Sequence, residues 1–183
     1  MNVEILIAGF GGQGVLSMGK ILAYAAMTKG LEVCWMPSYG PEMRGGTANV
    51  SVIVGDERIN SPILSTFDII VVLNQQSLDK FESAVKLGGS LFYDSNGLIR
   101  LPSRKDINIF HIPAYVEATQ LNNLKIYNMI VLGALIKKIP SLDPQYIKIA
   151  LEKTLPERAY KLIPLNMEAF HKGSEILEDI QIL

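Results

Sequence analysis

Cysteine is nearly absent: Cys34 is the only one in 183 residues. One thiol forms no intrachain disulfide and cannot hold a four-thiolate iron–sulfur cluster, so this chain alone carries no such electron carrier. Cys34 falls in the apolar run Leu31 to Trp35 and reads as a buried, inert thiol. Histidine is almost as scarce, with His111 before a proline and His171 in a helical stretch. Neither has a serine, cysteine or acid placed by spacing to complete a triad or a metal pair, so no catalytic and no metal-ligating residue is assigned. Charge of one sign is missing too: 17 basic and 18 acidic residues leave a net −1 with no basic block. Nucleic acid and anionic membrane surfaces are thereby excluded as expected partners. No apolar run reaches the roughly 18 uncharged residues of a membrane span, because Lys20 and Lys29 interrupt the longest. Met1-Asn2-Val3-Glu4 enters a strand directly, without a basic region and cleavage site, so the expected location is cytoplasmic.

Hydrophobic residues are abundant, at 49% against 19% charged, which is apolar for a free-standing soluble protein. Partner subunits are expected to cover the excess, and self-association is expected of the chain in isolation. The length fits a single domain over residues 1–183 that buries about 70% of its unfolded surface.

The most informative stretch is Gly9-Phe10-Gly11-Gly12-Gln13-Gly14, between the apolar run Val3 to Ala8 and the longer run Val15 to Met27. The first run reads as a buried strand, and the second, rich in Ala, Leu and Met, as a helix. Gly9, Gly11 and Gly14 fit the spacing Gly-x-Gly-x-x-Gly: a tight turn, a close backbone approach to a ligand, and close helix–strand packing. Free N–H groups at the helix start favour an anion such as phosphate. The alternative is that the glycines serve packing alone. A dinucleotide site also needs an acid at the end of the second strand, whereas Leu31 to Trp35 is followed by Met36-Pro37-Ser38, and Glu32 lies at the wrong end. An overlapping Walker-like match, Gly14 to Lys20, is rejected because Ile21 replaces the magnesium-binding hydroxyl and the segment lies inside the helix.

Met36 to Gly46 reads as a long loop with Arg44 as an anion-binding candidate and Tyr39 and Glu42 positioned to orient it or a ligand. The alternation in Thr47 to Val54 predicts a strand, with Gly55-Asp56-Glu57 turning into Arg58-Ile59-Asn60 as an inserted antiparallel hairpin. Glu57 occupies the glycine position of a thiamine diphosphate signature, so that cofactor belongs on another chain. Asp68 to Leu73 is a further strand, with Asn74 and Gln75 at its carboxyl end as ligand contacts, or else as a helix cap and a loop bond. A helix is read over Leu78 to Leu87, strands over Ser90 to Tyr93 and Ile107 to Ile112. Helices follow over Ala114 to Leu121, Tyr127 to Lys138, Asp143 to Leu151 and Asn166 to Leu177. The fold class is a three-layer α/β/α Rossmann-like domain with a mostly parallel sheet.

These residues resemble the gamma subunits of 2-oxoacid:ferredoxin oxidoreductases. The resemblance rests on Gly9 to Gly14 with Val15-Leu16-Ser17 and Gly19, on Ser38-Tyr39-Gly40-Pro41-Glu42-Met43-Arg44-Gly45-Gly46-Thr47-Ala48, and on Ser61-Pro62 and Asn74-Gln75. Ile112-Pro113-Ala114, Asn128-Met129, Leu132-Gly133-Ala134 and Asn166 to Gly173 extend it to nearly the whole chain. One departure is Asn122, where the family has glycine. The resemblance implies a complex with alpha, beta and ferredoxin-like delta subunits. Thiamine diphosphate and iron–sulfur clusters would sit on those partners, with ferredoxin as electron acceptor and coenzyme A as acyl acceptor. It implies that the isolated chain is inactive, and the wording around Met36 to Glu42 is most similar to members acting on 2-oxoglutarate or branched-chain 2-oxoacids. The cofactor-facing set is then Gly9, Gly11, Gly12, Gln13, Gly14, Tyr39, Arg44, Asn74 and Gln75, with coenzyme A as the expected contact.

Overall fold

The computed structural model describes residues 2–40 and 46–181. Six strands, β1 (Val3–Phe10), β2 (Glu32–Tyr39), β3 (Thr47–Gly55), β4 (Phe67–Val72), β5 (Val85–Tyr93) and β6 (Asn108–His111), form one sheet in the order β2-β3-β1-β4-β5-β6. β1, β4, β5 and β6 pair in parallel, and β3 runs antiparallel to both of its neighbours. Only β3 therefore opposes the common direction.

The antiparallel hairpin is present, but its partners differ from the expected ones. β3 pairs with β2, register Glu32↔Gly55 to Tyr39↔Ala48, and on its other side with β1. Both its edges are taken, so Arg58-Ile59-Asn60 has nowhere to pair and forms no strand. β2 also continues through Met36-Pro37-Ser38, which had read as loop. Pro37 is tolerated there because β2 is an edge strand and one row of its backbone groups needs no partner. Edge position also leaves Cys34 half-buried rather than buried.

Among the described residues six α-helices, α1 (Val15–Lys29), α2 (Gln75–Phe81), α3 (Ala114–Gln120), α4 (Tyr127–Ile136), α5 (Pro144–Thr154) and α6 (Ile163–Gln181), cover the sheet unequally. The helix expected over Leu78 to Leu87 is shorter and earlier, because Val85 onward is drawn into β5 beside β4. One face carries the main core, where Ile5, Ile7, Val50, Val52, Val71 and Phe92 meet α1, α4 and α6. On the other face Leu6, Ile70, Val72 and Leu91 meet Leu78 of α2. Apart from Asn128, α4 is apolar and buried, and a Cβ on its Gly133 would run into the Phe170 carbonyl oxygen of α6. The departure at Asn122 has a physical account: its φ is +52°, Asn122 N–H donates to Thr119 O and Asn123 N–H to Ala118 O. This is a left-handed helix cap after α3, where glycine is usual and asparagine is the next best tolerated residue.

Candidate functional site

β1 ends at the glycine turn. Gly12 and Gly14 have φ of +102° and +77°, and Gly14 forms the N-cap of α1 without a side-chain cap. The first turn of α1 holds no acid, so its N–H groups and the positive end of the helix dipole face outward unanswered. Gln13 is turned inward: its Oε1 accepts from Phe10 N–H at 2.6 Å and its Nε2 donates to Leu73 O at 3.1 Å, tying the turn to the end of β4. Gly11 N–H donates to Gly46 O at 2.8 Å, so the returning end of the β2–β3 connection is fastened to the same turn.

Two hollows flank this turn. The larger, about 400 Å³, lies between Gly12, Gly14 and Ser17 on one side and Asn96, Tyr115, Lys125, Tyr127 and Asn128 on the other. The smaller, about 280 Å³, lies between Phe10, Gly11, Ser17, Tyr39 and Ala48. Lys125 is exposed and, among the described residues, is the sole cation of the larger hollow, whose described lining contains no carboxylate. Behind that lining Asp94 is 1% exposed, and burial pushes its carboxyl above the usual range despite bonds from the Asn96 and Tyr115 amides. Burial, with the adjacent Asp94, also raises the Tyr127 phenol, so Tyr127 stays a neutral donor and acceptor.

Of the residues expected from sequence, Gly11, Gly12, Gly14 and Tyr39 line the hollows, as does the inward-bonded Gln13. A Cβ on Gly9 would lie 2.6 Å from Gln13 Oε1, so Gly9 serves the packing of the turn. Asn74 caps α2 by accepting from Ser77 N–H at 2.8 Å, and Gln75 Oε1 accepts from Ile99 and Arg100 N–H. These are the cap and loop roles, and neither residue lines either hollow. Arg44 and Glu42 lie outside the described residues; Gly46, two positions on from Arg44, is the residue bonded to Gly11. Sequence reasoning did not place Ser17, Asn96, Tyr115, Lys125 or Asn128 in a ligand site. The available signal was Asn128, the one polar residue opening an otherwise apolar helix, with Lys125 just before it.

Among the described residues no nucleophile with a base assembles around the turn. His111 Nε2 sits 2.9 Å from Ser95 Oγ, but both Asp94 oxygens are taken by amides. Among the described residues no cluster of three or more His, Cys, Asp or Glu is placed to hold a metal ion, and no helix is long and apolar enough to cross a membrane. The arrangement is suited to gripping an anionic ligand.

Residues 4–176 match the family model described as pyruvate ferredoxin/flavodoxin oxidoreductase. The chain belongs to this family. Within it, the likeness is to gamma-type subunits of 2-oxoacid:ferredoxin oxidoreductases. The chain is 38% identical over 175 residues to ketoisovalerate oxidoreductase subunit VorA of Methanothermobacter thermautotrophicus, covering 95% of this chain but only 36% of that protein. It is 32% identical over 188 residues to 2-oxoglutarate synthase subunit KorC of Methanothermobacter marburgensis, covering 99% of this chain and all of that one. The crystal structure of a keto/oxoacid ferredoxin oxidoreductase gamma subunit from Geobacter sulfurreducens superposes with a TM-score of 0.80 at 28% identity, covering 97% and 99% of the two chains. A 2-oxoglutarate:ferredoxin oxidoreductase from Magnetococcus marinus, solved with 2-oxoglutarate, coenzyme A and succinyl-CoA bound, gives 0.87 at 26% identity over 97% of this chain and 31% of that one.

Proposed function

We propose that this chain serves a complex that oxidatively decarboxylates a 2-oxoacid to an acyl-CoA and carbon dioxide, reducing ferredoxin, and that its glycine turn holds an anionic part of coenzyme A. The oxoacid is 2-oxoglutarate or a branched-chain acid, in keeping with the likeness to KorC and VorA. Alpha, beta and delta subunits bring thiamine diphosphate and the clusters. The observation that carries the coenzyme A reading is the uncapped, acid-free start of α1 opening onto a hollow whose only charged side chain among the described residues is Lys125. The amides of Val15 to Ser17 orient the anion, Lys125 neutralises it, and Arg44 supplies a second, forked contact.

The test is made in the assembled complex. Arg44→Ala and Lys125→Ala are each expected to raise KM for coenzyme A roughly ten- to a hundredfold, the equivalent of a charged hydrogen bond worth about 1.5–3 kcal/mol. Arg44→Lys is expected to recover little if the contact is bidentate. The chain alone is expected to reduce no viologen with any 2-oxoacid. Intact assembly with unaltered KM in both alanine variants would leave the glycines a purely structural role and the chain an assembly module.

A further inference from the structure

We propose that Asp94 is the positioning residue of the coenzyme A hollow: its buried carboxylate holds Asn96, Tyr115 and Tyr127 as one wall opposite the glycine turn. The proposal rests on the coenzyme A reading above. Asp94 stands just past the end of β5, almost wholly removed from water. Its Oδ1 accepts from Asn96 N–H at 2.9 Å and its Oδ2 from Tyr115 N–H at 2.8 Å. The buried Tyr127 phenol lies beside the same carboxylate. The two amides come from the turn after β5 and the first turn of α3, and Tyr127 is the first residue of α4. All three residues line the larger hollow, facing Gly12, Gly14 and Ser17. One carboxylate thus bonds two of these pieces of chain and abuts the third where they form a single surface.

Packing alone does not account for it. A buried carboxylate costs several kcal/mol unless its lone pairs are satisfied, and an apolar or amide side chain of similar size would fill the space at less cost. Among the described residues Asp94 has no lysine or arginine partner. The ionisable groups facing it among the described residues are His111 of β6 and Tyr127 of α4. Two backbone amides oppose the cost of burial, and an amide side chain at this position cannot reproduce both bonds because its nitrogen would oppose an N–H donor. The wall would then lose at least one anchor while the core around it stays filled.

The readout is binding of desulfo-coenzyme A, which cannot react, to the assembled complex by calorimetry, together with KM and kcat for coenzyme A. Asp94→Asn is expected to weaken binding and raise KM by about tenfold, the loss of roughly 1.4 kcal/mol, with kcat within about twofold. Tyr127→Phe, which leaves both amide bonds to Asp94 in place, is expected to weaken binding about threefold, in line with one modest hydrogen bond. Lys125→Ala reports on the hollow itself. Weakened binding in Lys125→Ala with unchanged binding in Asp94→Asn overturns the role of Asp94 alone; unchanged binding in both overturns the hollow and this inference with it. Should Asp94→Asn fail to assemble, unchanged binding in Tyr127→Phe overturns the proposal.

Discussion

Replacing Gly14 by alanine separates two demands that the turn makes on its glycines. Gly14 sits at φ +77°, and a Cβ there would lie 2.7 Å from Asn128 Cβ and 2.8 Å from its Cγ. Gly12 sits at φ +102° with nothing within 4 Å of its would-be Cβ. Both substitutions force an L-residue into a left-handed conformation, at roughly 1–2 kcal/mol. Only Gly14→Ala also drives a methyl into α4, adding about 1–3 kcal/mol of overpacking. The totals are then about 2–5 kcal/mol for Gly14→Ala and 1–2 kcal/mol for Gly12→Ala. In a domain of this size each kcal/mol lowers Tm by about 2–4 °C, so Gly14→Ala is expected to melt roughly 4–20 °C below the parent. The assay is thermal unfolding of the purified chain followed by circular dichroism, with urea unfolding alongside and its transition slope checked for constancy. Because Asn128 lines the hollow, Gly14→Ala is also expected to weaken coenzyme A binding in the complex. Equal midpoint shifts for the two variants would refute the close approach of α1 and α4 that defines the floor of the site.

Glu82 is 7% exposed, and burial alone would raise its carboxyl; the Ser103 amide, Arg100 and the Arg104 amide together outweigh that and hold it below the usual value. A depressed carboxyl contributes stability above its unfolded pKa of about 4.3 that is lost as pH falls through the folded value. Urea midpoints measured from pH 6 to pH 3 are therefore expected to fall less steeply for Glu82→Gln, and an unchanged acid limb would contradict this. The edge strand β2 and the neighbouring α1 expose Met27, Trp35, Met36 and Tyr39. Sedimentation of the isolated chain is expected to show self-association that Trp35→Lys reduces, and a monomer at all concentrations would count against partner docking there.

The glycine turn and the parallel strands around it were legible because each carries a local signal: a six-residue apolar run, then Gly-x-Gly-x-x-Gly, then a long helix former. The course of β2 was not, because Met36-Pro37-Ser38 reads as a strand end by propensity. Only the antiparallel partner β3, eight or more residues away, makes its continuation worthwhile. The hairpin was misassigned for the same reason, since Gly55-Asp56-Glu57 is a sound turn signal and only the occupation of both β3 edges removes its partner. Asn96, Tyr115 and Lys125 reach the hollow from the turn after β5, from α3 and from the short turn before α4, and no spacing in the chain announces that. Asn74 and Gln75 were visible as polar residues at a strand end, but whether such residues face a ligand or a cap depends on side-chain direction.

Strand order bears on the remaining competitor, an NAD-dependent dehydrogenase. In the dinucleotide-binding order the second strand lies next to the first, so an acid at its carboxyl end reaches the ribose of a nucleotide seated on the first turn. Here β3 is inserted between β1 and β2, which moves the end of β2 from one strand spacing to two, about 9.6 Å from β1. The place beside the turn is taken instead by the start of β3, where Thr47 pairs with Phe10 and Ala48 with Gly9. Neither is an acid, and Ser38 and Tyr39, which end β2, are not acids either. A carboxylate engineered at Ser38 would still be one strand too far. Calorimetry with NADH is accordingly expected to give no measurable binding to the chain, and Ser38→Asp is expected to leave that result unchanged. Micromolar binding by the parent would show that a ribose contact forms from some other element and would return the dehydrogenase reading; binding gained only in Ser38→Asp would refute the distance argument made from the strand order.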